Sequence, residues 1–175
     1  MVEFRNLSKI PELYIGTCLI NLGKRLIAQK ILLFVVTLLF SIVAVSQTFT
    51  LEVFNGRTNS FLAAFTVRAA ITDEEHAVGL SNYSTLPKKE GLLLVFDKAK
   101  RVKIWTKFMK FPIDIIFIDK NERISTIHHS VPPESNKILT SHLPSSYVLE
   151  LNAGDAKRFN IKKDDYVTIG NMLLN

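Results

Sequence analysis

The sequence predicts an α+β domain, mostly β, behind an N-terminal membrane segment. The β part reads as a compact antiparallel or mixed sheet, or as a partly closed barrel. Three observations predict it. Short runs rich in β-branched and aromatic residues recur between Gly, Pro, Asn and Asp turns. Only two helix starts are visible, and both helices are short. Most links between strands are too short for a crossover helix, which argues against parallel βαβ winding.

The chain divides into a basic leader (1–30), an apolar segment (31–51) and one domain (52–175). Ile31–Leu51 carries no charged residue, and Ile31–Val45 is almost wholly apolar. That length lies between a membrane span and a signal-peptide core. The leading reading is an uncleaved signal anchor. The second is a secretory signal cut after Ala44-Val45-Ser46, which would release the domain. Both give one orientation. Arg5, Lys9, Lys24, Arg25 and Lys30 precede the segment against Glu3 and Glu12. Basic flanks stay in the cytoplasm, so the domain is expected outside it, in the periplasm or at the cell surface. The leader supplies half of the net charge of +6. The domain itself is only mildly basic, which disfavours nucleic acid as a partner. The single cysteine, Cys18, lies in the leader, so the domain carries no disulfide.

Along the domain, a turn at Asn55–Asn59 falls between a short apolar segment, Phe49–Phe54, and a longer one, Phe61–Ile71, which reads as a strand. Thr72-Asp73-Glu74-Glu75 has the form of a capping box, opening a short helix that ends near Gly79. Ser81–Glu90 is a polar loop. Gly91–Phe96 is apolar throughout, as a strand buried on both faces would be. Asp97–Lys100 reads as a basic turn. In Arg101–Lys107 the parity is informative. Val102, Ile104 and Thr106 share a core face, whereas Arg101, Lys103, Trp105 and Lys107 share the other. Lys110–Pro112 links to Ile113–Ile118, a central strand interrupted by Asp114. Asp119–Glu122 turns into Arg123–His129. Ser130–Ser146, with three prolines, reads as a long loop. Tyr147–Leu151 is a strand, Asp155–Phe159 a short helix, and the chain closes with a turn at Lys162–Asp165 and a final strand.

The polar candidates cluster around the tryptophan, the only one in the chain. Lys107 and Asp114 flank the Lys110–Pro112 link and are expected to face each other across it. Such a pair would bind a polar ligand or, in a hydrolase, act as base and electrostatic partner. Structurally, Asp114 would instead accept backbone N–H groups. Trp105 among Arg101, Lys103 and Lys107 suits stacking on a sugar or peptide, or contact with lipid head groups or an anionic envelope polymer. Glu150 is a further carboxylate that only the fold would bring to Asp114. His128 and His129 are adjacent and point to opposite faces of a strand, and no metal or cofactor signature is present. No nucleophile elbow or phosphate loop occurs.

The order of these signals resembles the prokaryotic domain-of-unknown-function family 192. The residues that carry the resemblance are Thr72-Asp73-Glu74-Glu75…Gly79-Leu80, Gly91…Val95-Phe96, Trp105-x-Lys107 and Pro112–Asp119. Tyr147-Val148-Leu149-Glu150-Leu151-x-Ala153-Gly154 and Ile161…Asp165-x-Val167 complete the set. It spans residues 60–170 and implies a small, mostly β fold without an established activity. The family usually has Met and Arg after the Gly-Leu pair, where Ser81 and Tyr83 stand here. It usually has Asn-Thr after Trp-x-Lys, where Phe108 and Met109 stand, and Gly-Asp where Asp164-Asp165 stands. The expected function is a non-catalytic binding module for a polar ligand or envelope polymer near the membrane, with Trp105, Lys107, Asp114, Arg101 and Lys103 as contacts. A small hydrolase using Asp114 and Lys107 is the first alternative. A structural or interaction protein without a small ligand is the other. The sequence does not fix an oligomeric state.

Overall fold

The computed structural model describes Lys30 and residues 48–170. The leader up to residue 29, with Cys18, lies outside the described residues. So do residues 31–47, with most of the expected membrane segment and the Ala44–Ser46 site. Among the described residues no helix is long and apolar enough to cross a membrane. Thr48–Leu51, counted above with the apolar segment, pair as part of the first strand, and Leu51 is fully buried there.

The elements are β1 (Thr48–Phe54), β2 (Phe61–Ala70), α1 (Asp73–Val78), β3 (Glu90–Lys100), β4 (Lys103–Thr106) and β5 (Ile113–Ile118). They continue with β6 (Ile124–Val131), β7 (Ser135–Thr140), β8 (Ser145–Asn152), α2 (Asp155–Arg158) and β9 (Tyr166–Ile169). Seven strands form one sheet in the order β6-β5-β8-β3-β2-β1-β9, and β4 and β7 pair as a separate ribbon. The sheet is mixed: β2 and β3 run parallel and the other neighbours antiparallel. It is not a closed barrel. Its edges meet only at one corner, where Arg123 bridges Tyr166 and Ile124 N–H donates to the Asp165 carbonyl.

Three expectations need correction. One parallel crossover exists, because the link from β2 to β3 is long enough to hold α1. The span 130–146 is not a bare loop. It contains β7, which pairs with β4 away from the main sheet. Only Leu139 of β7 is buried, so no alternating apolar pattern marks it in the sequence. The basic turn at Asp97–Lys100 is the exposed end of β3, where Lys100 still pairs with Ser145.

Other features follow the local chemistry. Glu75 N–H donates to Thr72 Oγ1 at 3.2 Å and Thr72 N–H to Glu75 Oε2 at 3.0 Å, which is the capping box. Gly79 ends α1 at φ +49°, where a Cβ would be strained. The central strands β3 and β5 feed both faces of the sheet. Leu93, Val95, Ile116 and Ile118 join a core closed by α2 and Ile161. Leu92, Leu94, Ile115 and Phe117 join a second core under α1, the β4–β7 ribbon and Leu80. Burial of each such side chain contributes about 1.5–3 kcal/mol.

Asp114 is the one charge inside β5, and it is fully buried. Its Oδ1 accepts from Ser130 N–H at 2.7 Å. Its Oδ2 accepts from Gly154 and Ala156 N–H at 3.0 and 2.9 Å. The β5–β6 register shifts opposite Asp114, between Ile113 and Ile115, and the carboxylate satisfies a bulge amide there. At the same time it ties the start of α2 to the sheet. Replacing it by Asn puts an NH2 group against amide donors. Asp114→Asn is expected to lower unfolding stability by roughly 2–4 kcal/mol, measured by urea titration of the circular dichroism signal. An unchanged midpoint would show that these bonds do not hold the fold.

Candidate functional site

Of the residues singled out above, Trp105 and Lys103 share one cavity, whereas Lys107, Asp114 and Arg101 do not line it. Lys107 is exposed, with its Nζ 5.3 Å from the centroid of the Phe108 ring, and among the described residues it makes no ion pair with Asp114. The two lie apart because Asp114 points into the core under α2, where it holds three amides. Asp114 and Glu150 do not pair either. On the adjacent strands Asp114 stands opposite Leu151, and Glu150 opposite Ile115. Directly opposed residues share a face and successive residues alternate, so the two acids project to opposite sides of the sheet. Arg101 is exposed between β3 and β4. Trp105 is 56% exposed, on the polar face that its parity predicts.

A different constellation does converge. Trp105 and Lys103 reach a cavity of about 260 Å³ between the end of α1, the strands β3 and β8, and the start of the β4 ribbon. Leu94 and Glu150 form its floor. His76, Gly79 and Leu80 form one wall, and Phe96, Val102 and Ile104 another. Ser81, Trp105, Phe108 and Met109 complete the rim. The walls are fixed by packing. The His76 ring packs tilted against Phe96 with ring centroids 4.5 Å apart, and its Nε2 lies 3.0 Å from the Ala70 carbonyl. Thr106 Oγ1 donates to the Pro132 carbonyl at 2.7 Å, holding the end of β4.

Glu150 is the chemically unusual member. Only 5% of it is exposed, and Oε2 has no hydrogen-bond partner among the described residues. A Cβ built on Gly79 would stand 3.7 Å from that oxygen, so the carboxyl reaches the α1 terminus. Burial pushes its pKa up to about 7. At neutral pH the group divides between a carboxyl that donates and a carboxylate that only accepts. A buried titrating group in a concave apolar site marks a candidate functional centre. Among the described residues no cluster of three His, Cys, Asp or Glu side chains gathers to hold a metal.

Sequence reasoning considered Glu150 only beside Asp114. One signal was available: an acid between Leu149 and Leu151, in a strand too apolar to have a solvent face. His76 and Gly79 carried no signal beyond their place in the helix. The departures from the family pattern also acquire a location. Ser81, Phe108 and Met109 all line this cavity. Tyr83 lies beside it in sequence, and its hydroxyl accepts from Arg68, whose guanidinium carbon sits 4.9 Å from the ring centroid.

Comparison with known proteins gives one family and a set of similar structures. The profile of DUF192, described as "Uncharacterized ACR", matches residues 53–169. No curated protein matches the chain. A solved structure from Sinorhizobium meliloti 1021, named as a candidate transcription regulator, is 28% identical with a TM-score of 0.67. That match covers 71% of this chain and 95% of the other. A protein of unknown function from Novosphingobium aromaticivorans DSM 12444 is likewise 28% identical with a TM-score of 0.67. It covers 73% of this chain and 89% of the other.

The Glu150 environment has a sign that stability measurements can read. A carboxyl whose folded pKa is about 7 holds its proton more tightly folded than unfolded. Its contribution is complete below the unfolded value of 4.5 and is lost as pH rises through 7. The span corresponds to roughly 3 kcal/mol. Glu150→Gln is therefore expected to match the parent at pH 4.5 and to exceed it by roughly that amount at pH 8.5, in urea unfolding at the two pH values. Equal stability at pH 8.5 would mean that Glu150 is solvated.

Proposed function

The chain belongs to the DUF192 family, and we propose that its domain is a non-catalytic binding module for a small ligand with a polar head and an apolar body. The observation that carries this reading is the unpartnered Glu150 oxygen on the floor of a cavity of mixed polar and apolar lining. An oxygen without a donor at a site that small molecules can enter favours a ligand that supplies one. The rim supports it as well. Trp105 and Phe108 are 56% and 62% exposed, and large side chains so placed can close over a bound molecule.

The geometry favours binding over hydrolysis by Asp114 and Lys107. Asp114 is fully buried and both its oxygens are engaged by backbone amides, so a substrate does not reach it. The proposal also places the domain outside the cytoplasm, close to the membrane. Its supports are the uncharged stretch Ile31–Val45 and the basic residues before it. The exposed Lys100, Arg101, Lys103 and Lys107 beside Trp105 suit an envelope rich in anionic polymer or lipid.

Two measurements test these statements. Trp105 emission, titrated with a panel of small amines, alcohols, amides and wall fragments, is expected to shift and saturate with at least one class. Ser81→Phe, which puts bulk at the rim, is expected to abolish the response. A flat signal across the panel would remove the binding reading. Separately, alkaline phosphatase fused after Gly170 is expected to be active in a bacterial host. An inactive fusion whose β-galactosidase counterpart is active would place the domain in the cytoplasm.

A further inference from the structure

The cavity contains information about the chemistry of its ligand. A carboxylate accepts hydrogen bonds and donates none, so its partner must donate. A donor that is also a cation answers the charge as well as the lone pair. The other walls agree with a cation carrying an apolar body. Phe96, Trp105 and Phe108 present aromatic surface, which attracts cations, and Leu94, Val102 and Met109 are apolar. The small volume suits a short chain.

The protein's own charges near Glu150 are directed elsewhere. From α1, His76 makes its Nε2 contact with the Ala70 carbonyl, and its Nδ1 faces Asp73 at 3.9 Å. From β3, Lys100 places its Nζ 4.8 Å from the Phe96 ring centroid. From β2, Arg68 is in register with Leu92, which is in register with Glu150, but its guanidinium engages Tyr83. From β4, Lys103 lines the mouth with its side chain in solvent. From β5, the residue opposite Glu150 is Ile115.

We propose that this cavity takes a small primary amine as its alkylammonium ion, head-first on Glu150 with its alkyl body against Leu94, Phe96 and Trp105. The proposal rests on the binding reading above and assigns its ligand class. Entry of the ion exchanges one cation for another. The ammonium keeps its three protons and hydrogen-bonds to Oε2, and the proton that Glu150 carried leaves to water. No covalent bond to the ligand forms or breaks. Protons and alkylammonium ions therefore compete for one oxygen, and burial, which favours the protonated acid near neutrality, sets where that competition is felt.

The test uses the full chain with n-butylammonium, n-butanol and tetramethylammonium, read by calorimetry and by Trp105 emission. Butylammonium affinity is expected to rise about tenfold per pH unit between pH 5 and 7 and to level off above. At pH 8 it is expected to exceed that of butanol, and that of the non-donating tetramethylammonium, by about tenfold or more. Glu150→Gln, which keeps the shape and loses the charge, is expected to weaken butylammonium at pH 8 by about tenfold or more and to remove its pH dependence. Equal affinity for butanol, or unchanged amine binding in Glu150→Gln, would overturn the amine assignment while leaving a binding cavity. No heat and no emission change with any probe, including the wider panel, would overturn both.

Discussion

The register between β5 and β8 is the constraint on which the rest depends. With Ile115 opposite Glu150 and Asp114 opposite Leu151, each acid projects to its own side of a sheet buried on both faces. Side chains alternate with a period of two. A slip of one residue in β5 would turn that strand over and bring Asp114 to the cavity side. The amides of Ser130, Gly154 and Ala156 would then have no acceptor. The hydrophobic residues on either side of both acids enforce the register, and Asp114 confirms it with three hydrogen bonds that only one alignment allows.

Two of the four buried acids among the described residues, Asp114 and Glu150, show how differently a protein can accommodate a carboxylate. Asp114 is surrounded by backbone N–H groups that the bulge in β6 and the start of α2 would otherwise leave unsatisfied. Its charge and those amides solve one problem together. Glu150 has an oxygen with no such partner. An unpaired polar atom in a low-dielectric interior costs about 1–3 kcal/mol or shifts its protonation instead, and Glu150 does the latter. A fold tuned only for stability would place an apolar residue between Leu149 and Leu151. The acid there destabilises the folded chain at neutral pH, and the proposed binding role would account for that loss beside a cavity.

Much of this fold was legible in the chain. The capping box at Thr72, the doubly buried Leu92–Phe96, the parity of Arg101–Lys107 and the hairpin at Asp119–Glu122 each carry a local rule strong enough to survive packing. β7 was not legible, because an edge strand paired outside the main sheet needs only Leu139 as its anchor. The helix of the β2–α1–β3 crossover is legible in the sequence but its role as a parallel connection is not, since strand order is a property of the whole sheet. The site was legible in part. Trp105 on an outward face and a charge inside a buried strand both follow from period two. Which charged strand residue meets Trp105 depends on pairing register and bulges, and so Asp114 was favoured where Glu150 is the one that arrives.

The family resemblance takes on a different meaning once the cavity is drawn. Where the family pattern has Asn-Thr after Trp-x-Lys, Phe108 and Met109 stand on the rim, and where it has Met after Gly-Leu, Ser81 does. Around Phe108 and Met109 these exchanges remove polar side chains from the mouth and replace them with an aromatic ring and a thioether. The floor is not altered, because Glu150 belongs to the stretch that matches the pattern. The departures therefore do not erase the site. Phe108 and Met109 add apolar surface to a lining that also holds His76, Ser81, Lys103 and Glu150, and the proposed amine ligand rests on that contrast.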